Sequence, residues 1–209
     1  YLAKKKFRKL ILIEKDRKLA SDLKKIFINN KRIIVETNDA LKFSYCDYYE
    51  NKNTIIVGNL PFNISSQLLF KWLDNNEWPP FYKRLILMFQ KELADRIISM
   101  PDNKNYGRIS VAAQARCDIS KLLYAPARIF NPMPKVDGLV LDFKPSLQFK
   151  DLNYKKLQII LKKAFSARRK KIKTNLNNYL DSLHELNIDT NLRAENLSVL
   201  DYCELTSIS

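Results

Sequence analysis

The amino-acid sequence predicts an α/β layer fold with a mainly parallel sheet, followed by a small helical domain. Short apolar runs alternate with helical patterns through the first half of the chain, which is typical of strand–helix–strand units. Beyond about residue 150 no strand pattern remains, and only helical periodicity is found. We therefore predict one domain over residues 1–149 and a second, helical domain over residues 150–209.

Local signals place the individual elements of this fold. Asp16 is the predicted N-cap of a helix in which Leu19, Leu23 and Ile26 recur at helical spacing. The predicted strands are Lys9–Glu14, Arg32–Glu36, Thr54–Val57, Arg84–Phe89, Ile119–Tyr124 and Val136–Phe143. The other predicted helices are Ser65–Leu73, Lys91–Ser99, Ile109–Ala115, Tyr154–Phe165, Ile172–Leu183 and Arg193–Thr206. The last two strands are joined by PARIFNPMPK, whose three prolines make this link stiff and extended.

The charge balance of the chain points to a polyanionic partner. The formal net charge is +15, from 37 Lys and Arg against 22 Asp and Glu. This excess favours RNA, DNA or an anionic membrane surface. AT-rich coding explains many lysines but explains poorly why arginines cluster with them. No run of eighteen apolar residues occurs, so no membrane span is expected. Because the first residue is Tyr, we expect the chain to be a fragment of a longer protein.

The numbers and positions of cysteine and histidine limit the kinds of catalysis and metal binding that are expected. Cys46, Cys117 and Cys203 are odd in number and widely spaced, which favours reduced thiols, a cytoplasmic location and no zinc or other metal site. The single histidine, His184, lies in a polar helical stretch and is expected on the surface. Serine–histidine and cysteine–histidine catalysis are thereby almost excluded.

Polar residues follow three consecutive predicted strands. Glu14 ends the first strand, Asp39 with the adjacent Ala40 follows the second, and Asn59 follows the third. Ligands of open α/β sheets bind beyond these carboxyl ends. A carboxylate here can accept ribose hydroxyls, and an aspartate can accept an exocyclic adenine amine. Glu14 and Asp39 can also be ordinary turn residues, but their order favours a nucleotide-type cofactor site.

A glycine-rich loop that would cradle such a cofactor is not found. The chain has three glycines, Gly58, Gly107 and Gly138, and none precedes Glu14 by one strand and one helix. We expect the first strand and its loop to lie upstream of this chain. The alternative is a relic that no longer binds a cofactor.

Several motifs together resemble one enzyme family. They are NLPF at Asn59–Phe62, QKELADRI at Gln90–Ile97, YGRIS at Tyr106–Ser110, IFNPMPKVDG at Ile129–Gly138, ARRKKIKTNL at Ala167–Leu176 and RAENLSVLDYCEL at Arg193–Leu205. In this order they resemble the bacterial small-subunit rRNA adenine dimethyltransferases, the KsgA family. The tetrapeptide alone is shared by many amino-methyltransferases, whereas the ordered set is specific and extends over essentially the whole chain.

This resemblance implies a fold and a cofactor. The fold would be a Rossmann-like class I methyltransferase sheet over 1–149, lacking its first strand and Gly-rich loop, with a C-terminal helical RNA-binding domain over 150–209. The cofactor would be S-adenosylmethionine, held by Glu14, Asp39, Ala40 and Asn59. The missing loop puts cofactor binding by this chain in question. A second departure is Gly138, where family members more often have serine after the aspartate.

The NLPF stretch has a chemical interpretation. The adenine N6 amine is a poor nucleophile, because its lone pair is delocalised into the ring. The Asn59 side-chain oxygen and a main-chain carbonyl at Leu60 or Pro61 can accept its two hydrogens and localise that lone pair. Phe62 offers a face for base stacking, and the resemblance supports Phe130 for the opposite face. Taken alone, NLPF can also be a proline-capped turn with a core phenylalanine.

A basic segment near the C-terminus is the predicted RNA contact. It carries seven basic residues and no acid: Lys162, Lys163, Arg168, Arg169, Lys170, Lys171 and Lys173. Such side chains can contact phosphates without reading sequence. The alternative is a solvated basic helix face.

The motifs imply the reaction and the resemblance implies the substrate. We expect an S-adenosylmethionine-dependent enzyme that dimethylates two adjacent adenosines of 16S rRNA in a 30S assembly particle. It would act as a monomer, without a metal and without a membrane. The alternatives are an adenine-N6 methyltransferase for large-subunit rRNA or DNA, a non-catalytic RNA-binding assembly factor, and a mitochondrial homologue acting in transcription.

Overall fold

The structure is a computed structural model that describes residues 2–45, 53–75 and 77–209. It contains two compact units, residues 1–48 and residues 49–209. Cys46 lies outside the described residues, so its predicted state as a reduced thiol stays a prediction.

The first unit is a strand–helix–strand motif. It comprises β1 (Leu10–Glu14), α1 (Arg17–Ile26) and β2 (Ile33–Thr37), after a short 3₁₀ helix at its start. The two strands are parallel, as the crossover helix between them requires. The predicted N-cap is confirmed, because an Asp16 side-chain oxygen accepts the Leu19 amide at 2.9 Å.

The second unit contains a four-stranded mixed sheet. Its strands are β3 (Thr54–Asn59), β4 (Tyr82–Gln90), β5 (Cys117–Ala125) and β6 (Gly138–Pro145), in the order β3-β4-β6-β5. Strands β3 and β4 are parallel, whereas β6 runs antiparallel to both β4 and β5. The expectation of a mainly parallel sheet is therefore corrected. A crossover helix joins β3 to β4, but the proline-rich link joins β5 to β6 without one and returns the chain antiparallel.

Seven helices of the second unit are described. They are α2 (Ser65–Leu73), α3 (Lys91–Ile97), α4 (Arg108–Gln114), α5 (Tyr154–Ala164), α6 (Ile172–Asn175), α7 (Leu180–Glu185) and α8 (Val199–Ile208). No helix in the described part of the chain is both long enough and apolar enough to cross a membrane.

The predicted helix Ile172–Leu183 is wrong as one continuous element. The chain forms α6, a 3₁₀ turn and α7 instead. The Asn175 side chain donates to the carbonyls of Ala164 at 2.6 Å and Ala167 at 3.1 Å. Side-chain amides that bond to the backbone in this way compete with helix continuation.

The core of the second unit joins the sheet to the helical tail, which comprises α5 to α8. Leu87 and Phe89 of β4 and Phe143 of β6 are fully buried. Helix α5 packs against α4 and α8, and the Tyr154 hydroxyl donates to the Ala112 carbonyl at 3.2 Å. The proposed division at residues 149 and 150 stays a prediction.

A buried arginine also ties the tail to the sheet. Arg116 is only 2% exposed, and its guanidinium lies 4.5 Å from the Trp78 ring centroid and 4.8 Å from that of Tyr154. Desolvation lowers the pKa of Arg116. Cation–π contacts with these two rings therefore compensate for part of the cost of burying this charge.

Candidate active site

In the first unit, two predicted cofactor-binding carboxylates lie at one edge of the sheet. Glu14 is the last residue of β1 and pairs in register with Thr37, two residues before Asp39. The Glu14 carboxylate accepts the Asp16 amide at 2.8 Å. Because β1 and β2 are parallel, both acidic residues follow the same, carboxyl end of the pair.

Asp39 is held as an ionised carboxylate. One oxygen accepts from the Lys15 ammonium at 2.8 Å and the other from the Leu41 amide at 2.9 Å. These contacts, that of Lys15 first, lower the pKa of Asp39. Lys15 is 75% exposed, so this ion pair is a weak surface contact that a ligand amine can replace. The neighbouring Ala40 carbonyl accepts from the Tyr45 hydroxyl at 3.0 Å.

In the second unit, the NLPF stretch forms the turn between β3 and α2. Leu60 is buried and anchors the turn in the core, while Asn59 and Phe62 are exposed. A Cβ at Gly58 would lie 2.6 Å from a methyl carbon of Leu60. The close approach of Leu60 therefore explains why position 58 has a glycine, which lacks a Cβ.

The hydrogen bonds of the turn distinguish between the two carbonyls that the sequence left open. The Pro61 carbonyl accepts the Ile64 amide at 3.1 Å. Among the described residues, no hydrogen bond reaches the Leu60 carbonyl or the Asn59 side-chain amide. Of the two carbonyls, that of Leu60 is thus the one that no described residue already engages.

A cleft of about 160 Å³ lies beside this turn. It brings together three of the predicted site residues, Asn59, Phe62 and Phe130, with two further residues, Met88 and Gly138. The remaining lining residues are Pro132, Pro134 and Val136 of the proline-rich link. The cleft is thus formed by the end of β3, the end of β4 and the link that precedes β6.

Met88 and Gly138 are cleft residues that the sequence reasoning missed. Met88 is paired in register with Asn59 near the carboxyl end of β4. Met88 is apolar, so the emphasis on polar residues at strand ends did not include it. The signal that could have found Met88 is the adjacency of the parallel strands β3 and β4, which places it beside Asn59.

Asp137 tethers the proline-rich link. Its carboxylate accepts from the Tyr124 hydroxyl at 2.6 Å and from the Ala127 amide at 2.9 Å. Its carbonyl accepts the Lys91 amide at 2.9 Å. The Tyr124 and Ala127 bonds lower the pKa of Asp137. The segment that carries Phe130 is therefore fixed at its start by Ala127 and at its end by Asp137.

The predicted RNA-binding residues span the end of α5, a turn and α6, rather than one helix. Several interact within the tail: Arg168 pairs with Glu195 at 2.8 Å, Lys163 lies 5.1 Å from the Tyr179 ring centroid, and Lys171 and Lys173 donate to Asn191 at 3.3 and 3.0 Å. Lys162, Arg169 and Lys170 are exposed. The segment is a cationic surface partly held in place by its own helical tail.

The two described thiols and the histidine are not placed to act as nucleophiles. Cys117 and Cys203 are buried and free, and burial raises the pKa of the Cys203 thiol to about 12. His184 is exposed, as predicted. In residues 2–45, 53–75 and 77–209, no group of three His, Cys, Asp or Glu side chains could hold a metal ion.

Solved structures define the class of protein. A dimethyladenosine transferase from Plasmodium falciparum matches with a TM-score of 0.80 and 26% identity, covering 94% of this chain and 80% of that one. The 23S rRNA methyltransferase ErmE has the same fold, with a TM-score of 0.67, 17% identity, and coverage of 96% and 81%. The fold is that of the methyltransferases, which confirms the predicted fold class.

Sequence comparisons then give the family. The family model for ribosomal RNA adenine dimethylase matches residues 2–209. The ribosomal RNA small subunit methyltransferase A of Ehrlichia chaffeensis is 41% identical over 209 residues, covering 96% of this chain and 77% of that protein. The protein of the same name from Pelagibacter ubique is 40% identical, with coverage of 98% and 79%. The chain belongs to the ribosomal RNA adenine dimethylase family.

Proposed function

We propose that this protein transfers methyl groups from S-adenosylmethionine to the N6 amines of two adjacent adenosines in small-subunit (16S) rRNA during ribosome assembly. Family membership supports the reaction and the substrate class. The observation that carries the proposal within the structure is the cleft shared by Asn59, Phe62 and Phe130.

The two aromatic side chains would hold the target base. Phe62 is 39% exposed and Phe130 is half-buried, so a planar ring can reach both. The cleft volume of about 160 Å³ is below the ~300–1,000 Å³ of pockets for drug-sized ligands. It suits a single base that has left its stack.

The turn would activate the nucleophile. The Asn59 side-chain oxygen and the Leu60 carbonyl can each accept one hydrogen of the N6 amine, which favours a pyramidal nitrogen with a localised lone pair. For the second methyl transfer only one N–H remains, and one acceptor suffices. The methylated adeninium is acidic enough to lose its proton to water, so no histidine base is required.

The methyl donor would be held in the first unit by Glu14, Asp39 and Ala40. Glu14 can accept the ribose hydroxyls, and Asp39 with Ala40 can bind the adenine edge. When bound, S-adenosylmethionine supplies a methyl group already activated on a sulfonium sulfur. The contribution of the chain's own residues is therefore mainly positioning and electrostatics.

The cationic surface from Lys162 to Lys173 would bind the RNA backbone. The partner is the small-subunit rRNA within a 30S assembly particle, and the protein would act as a monomer in the cytoplasm. Phosphate contacts of this kind give affinity without reading sequence.

The test is methyl transfer by Asn59→Ala, assayed with radiolabelled S-adenosylmethionine and under-methylated 30S particles. We expect kcat to fall by about 10²- to 10³-fold, as when one positioned transition-state hydrogen bond is removed, while particle binding is unchanged. The matched control is Asn63→Ala, because Asn63 is exposed and does not line the cleft. Unchanged kcat in Asn59→Ala would contradict the proposed hydrogen bond. Tight particle binding without any transfer by the unaltered protein would favour the assembly-factor alternative.

A further inference from the structure

A second, larger cavity of the second unit is an open groove of about 340 Å³. We call it the arginine groove, because Arg96, Arg108 and Arg168 line it together with Phe70 and Ser66. No Asp or Glu is among its lining residues. Three guanidinium groups therefore face one space that is large enough for an anion. They come from α3, the start of α4 and the turn after α5.

The charges of the arginine groove are only partly neutralised. Arg108 donates to the neutral Gln158 oxygen at 2.9 Å, so its charge has no carboxylate partner in that bond. Arg96 pairs with Glu92 at 3.1 Å, but these side chains are 53% and 80% exposed, and such surface pairs are weak. Arg168 is held more firmly, by Glu195 and the Lys104 carbonyl. Arg96 and Arg108 are thus the side chains that can engage an incoming anion.

An aromatic contact orients one of these arginines. The Arg108 guanidinium lies 5.1 Å from the Phe70 ring centroid. Phe70 and Gln158 together restrict the side chain before any ligand binds. A guanidinium stacked on one face can still stack a nucleobase on its other face or bind a phosphate with its edge.

The position of the groove links it to the turn that would hold the target base. Ser66 lines the groove and follows the cleft residue Phe62 by four residues, so the two are at most about 14 Å apart along the chain. This distance is short enough for one RNA strand to place a base in the cleft and a neighbouring nucleotide in the groove.

We propose that the arginine groove binds a nucleotide of the substrate RNA next to the target adenosine, with its phosphate on Arg96 and Arg108. This inference rests on the proposed function, since that function supplies the RNA. The groove volume lies within the ~300–1,000 Å³ of small-ligand pockets, which is more space than a bare phosphate needs.

The test compares salt-dependent binding of under-methylated 30S particles by the unaltered protein and by Arg96→Gln with Arg108→Gln. We expect at least about tenfold weaker binding at 0.1 M salt. We also expect the slope of log K against log salt to become shallower by about 0.7–0.9 for each phosphate that the variant no longer binds. The matched control removes two charges elsewhere, by Lys83→Gln with Lys121→Gln, since both lysines are exposed and line neither cavity.

Each outcome has one meaning. A slope equal to that of the lysine control overturns the proposal, as does an equal loss of affinity for duplex DNA, which would mark a general polyanion surface. Thermal melting checks folding, and Arg96→Gln alone is the test if the double variant unfolds. Methyl transfer by the unaltered protein is measured in parallel. Its absence would refute the proposed function, while the salt slopes would still decide the role of the groove.

Discussion

Replacing Gly138 by alanine is expected to slow the second methyl transfer more than the first. A Cβ at Gly138 would lie 3.1 Å from the Met88 sulfur and 3.3 Å from its Cγ. Ordinary carbon contacts are ~3.5–4.0 Å, so Met88 would have to move by about 0.4 Å or more. Both residues line the cleft of about 160 Å³, and the shift would reduce the space beside Asn59.

The magnitude follows from the cost of overpacking. Extra methyl groups in well-packed sites cost about 1–3 kcal/mol. The unmethylated adenine needs less room than N6-methyladenine, so most of this cost falls on the second transfer. A difference of about 1.4 kcal/mol corresponds to a tenfold lower rate. We therefore expect monomethylated adenosine to accumulate in Gly138→Ala.

The assay is a time course of methylated nucleosides, separated after digestion of RNA from under-methylated particles. Met88→Ala in the Gly138→Ala background removes the Met88 atoms that the new Cβ would touch, and should restore the dimethyl product. An unchanged ratio of monomethyl to dimethyl product in the folded Gly138→Ala protein would refute the reasoning.

Three further predictions test other parts of the structure. Arg116→Lys should lower the free energy of unfolding by about 2 kcal/mol, because an ammonium cannot stack on two rings. In urea unfolding Arg116→Lys should be less stable than Arg116→Met, and equal stability of these two variants would contradict a stabilising role for the two ring contacts. The bond to the Asp137 carboxylate raises the pKa of Tyr124 above its ordinary value near 10, so this hydrogen bond is retained below pH 10 and breaks as pH rises through the raised pKa. Asp137→Asn should return that pKa toward 10 in an NMR titration, and an unmoved value would count against the tether. Phe62→Leu should lower kcat/KM for methyl transfer by about 10- to 100-fold, from a stacking energy of about 1–3 kcal/mol per base, whereas Phe62→Tyr should not; equal losses would exclude stacking.

Sequence patterns predicted most elements because local signals were strong. Helix α2 has the predicted bounds Ser65–Leu73, and the Asp16 cap is formed by the predicted residue. The break within Ile172–Leu183 was not predicted, since it depends on bonds from the Asn175 side chain to carbonyls that only the folded tail brings near. Strand direction in β6 likewise depends on tertiary pairing rather than on periodicity.

The cleft was predictable in part. Asn59, Phe62 and Phe130 were chosen from motif chemistry, and the structure places all three around one space. Met88 was missed because a methionine at a strand end carries no polar signal. Arg168 was predicted as an RNA contact, but its convergence with Arg96 and Arg108 on one groove depends on tertiary packing. Glu14 and Asp39 belong to the other unit, so their sharing a site with Asn59 stays a prediction.

The most direct test of the central claim uses the full-length protein with labelled S-adenosylmethionine and under-methylated 30S particles, followed by digestion and identification of the labelled nucleoside. We predict label in N6,N6-dimethyladenosine of the small-subunit RNA, formed about 10²- to 10³-fold more slowly by Asn59→Ala and at an unchanged rate by Asn63→Ala. Label in another nucleoside, or in large-subunit RNA offered alongside, would contradict the account.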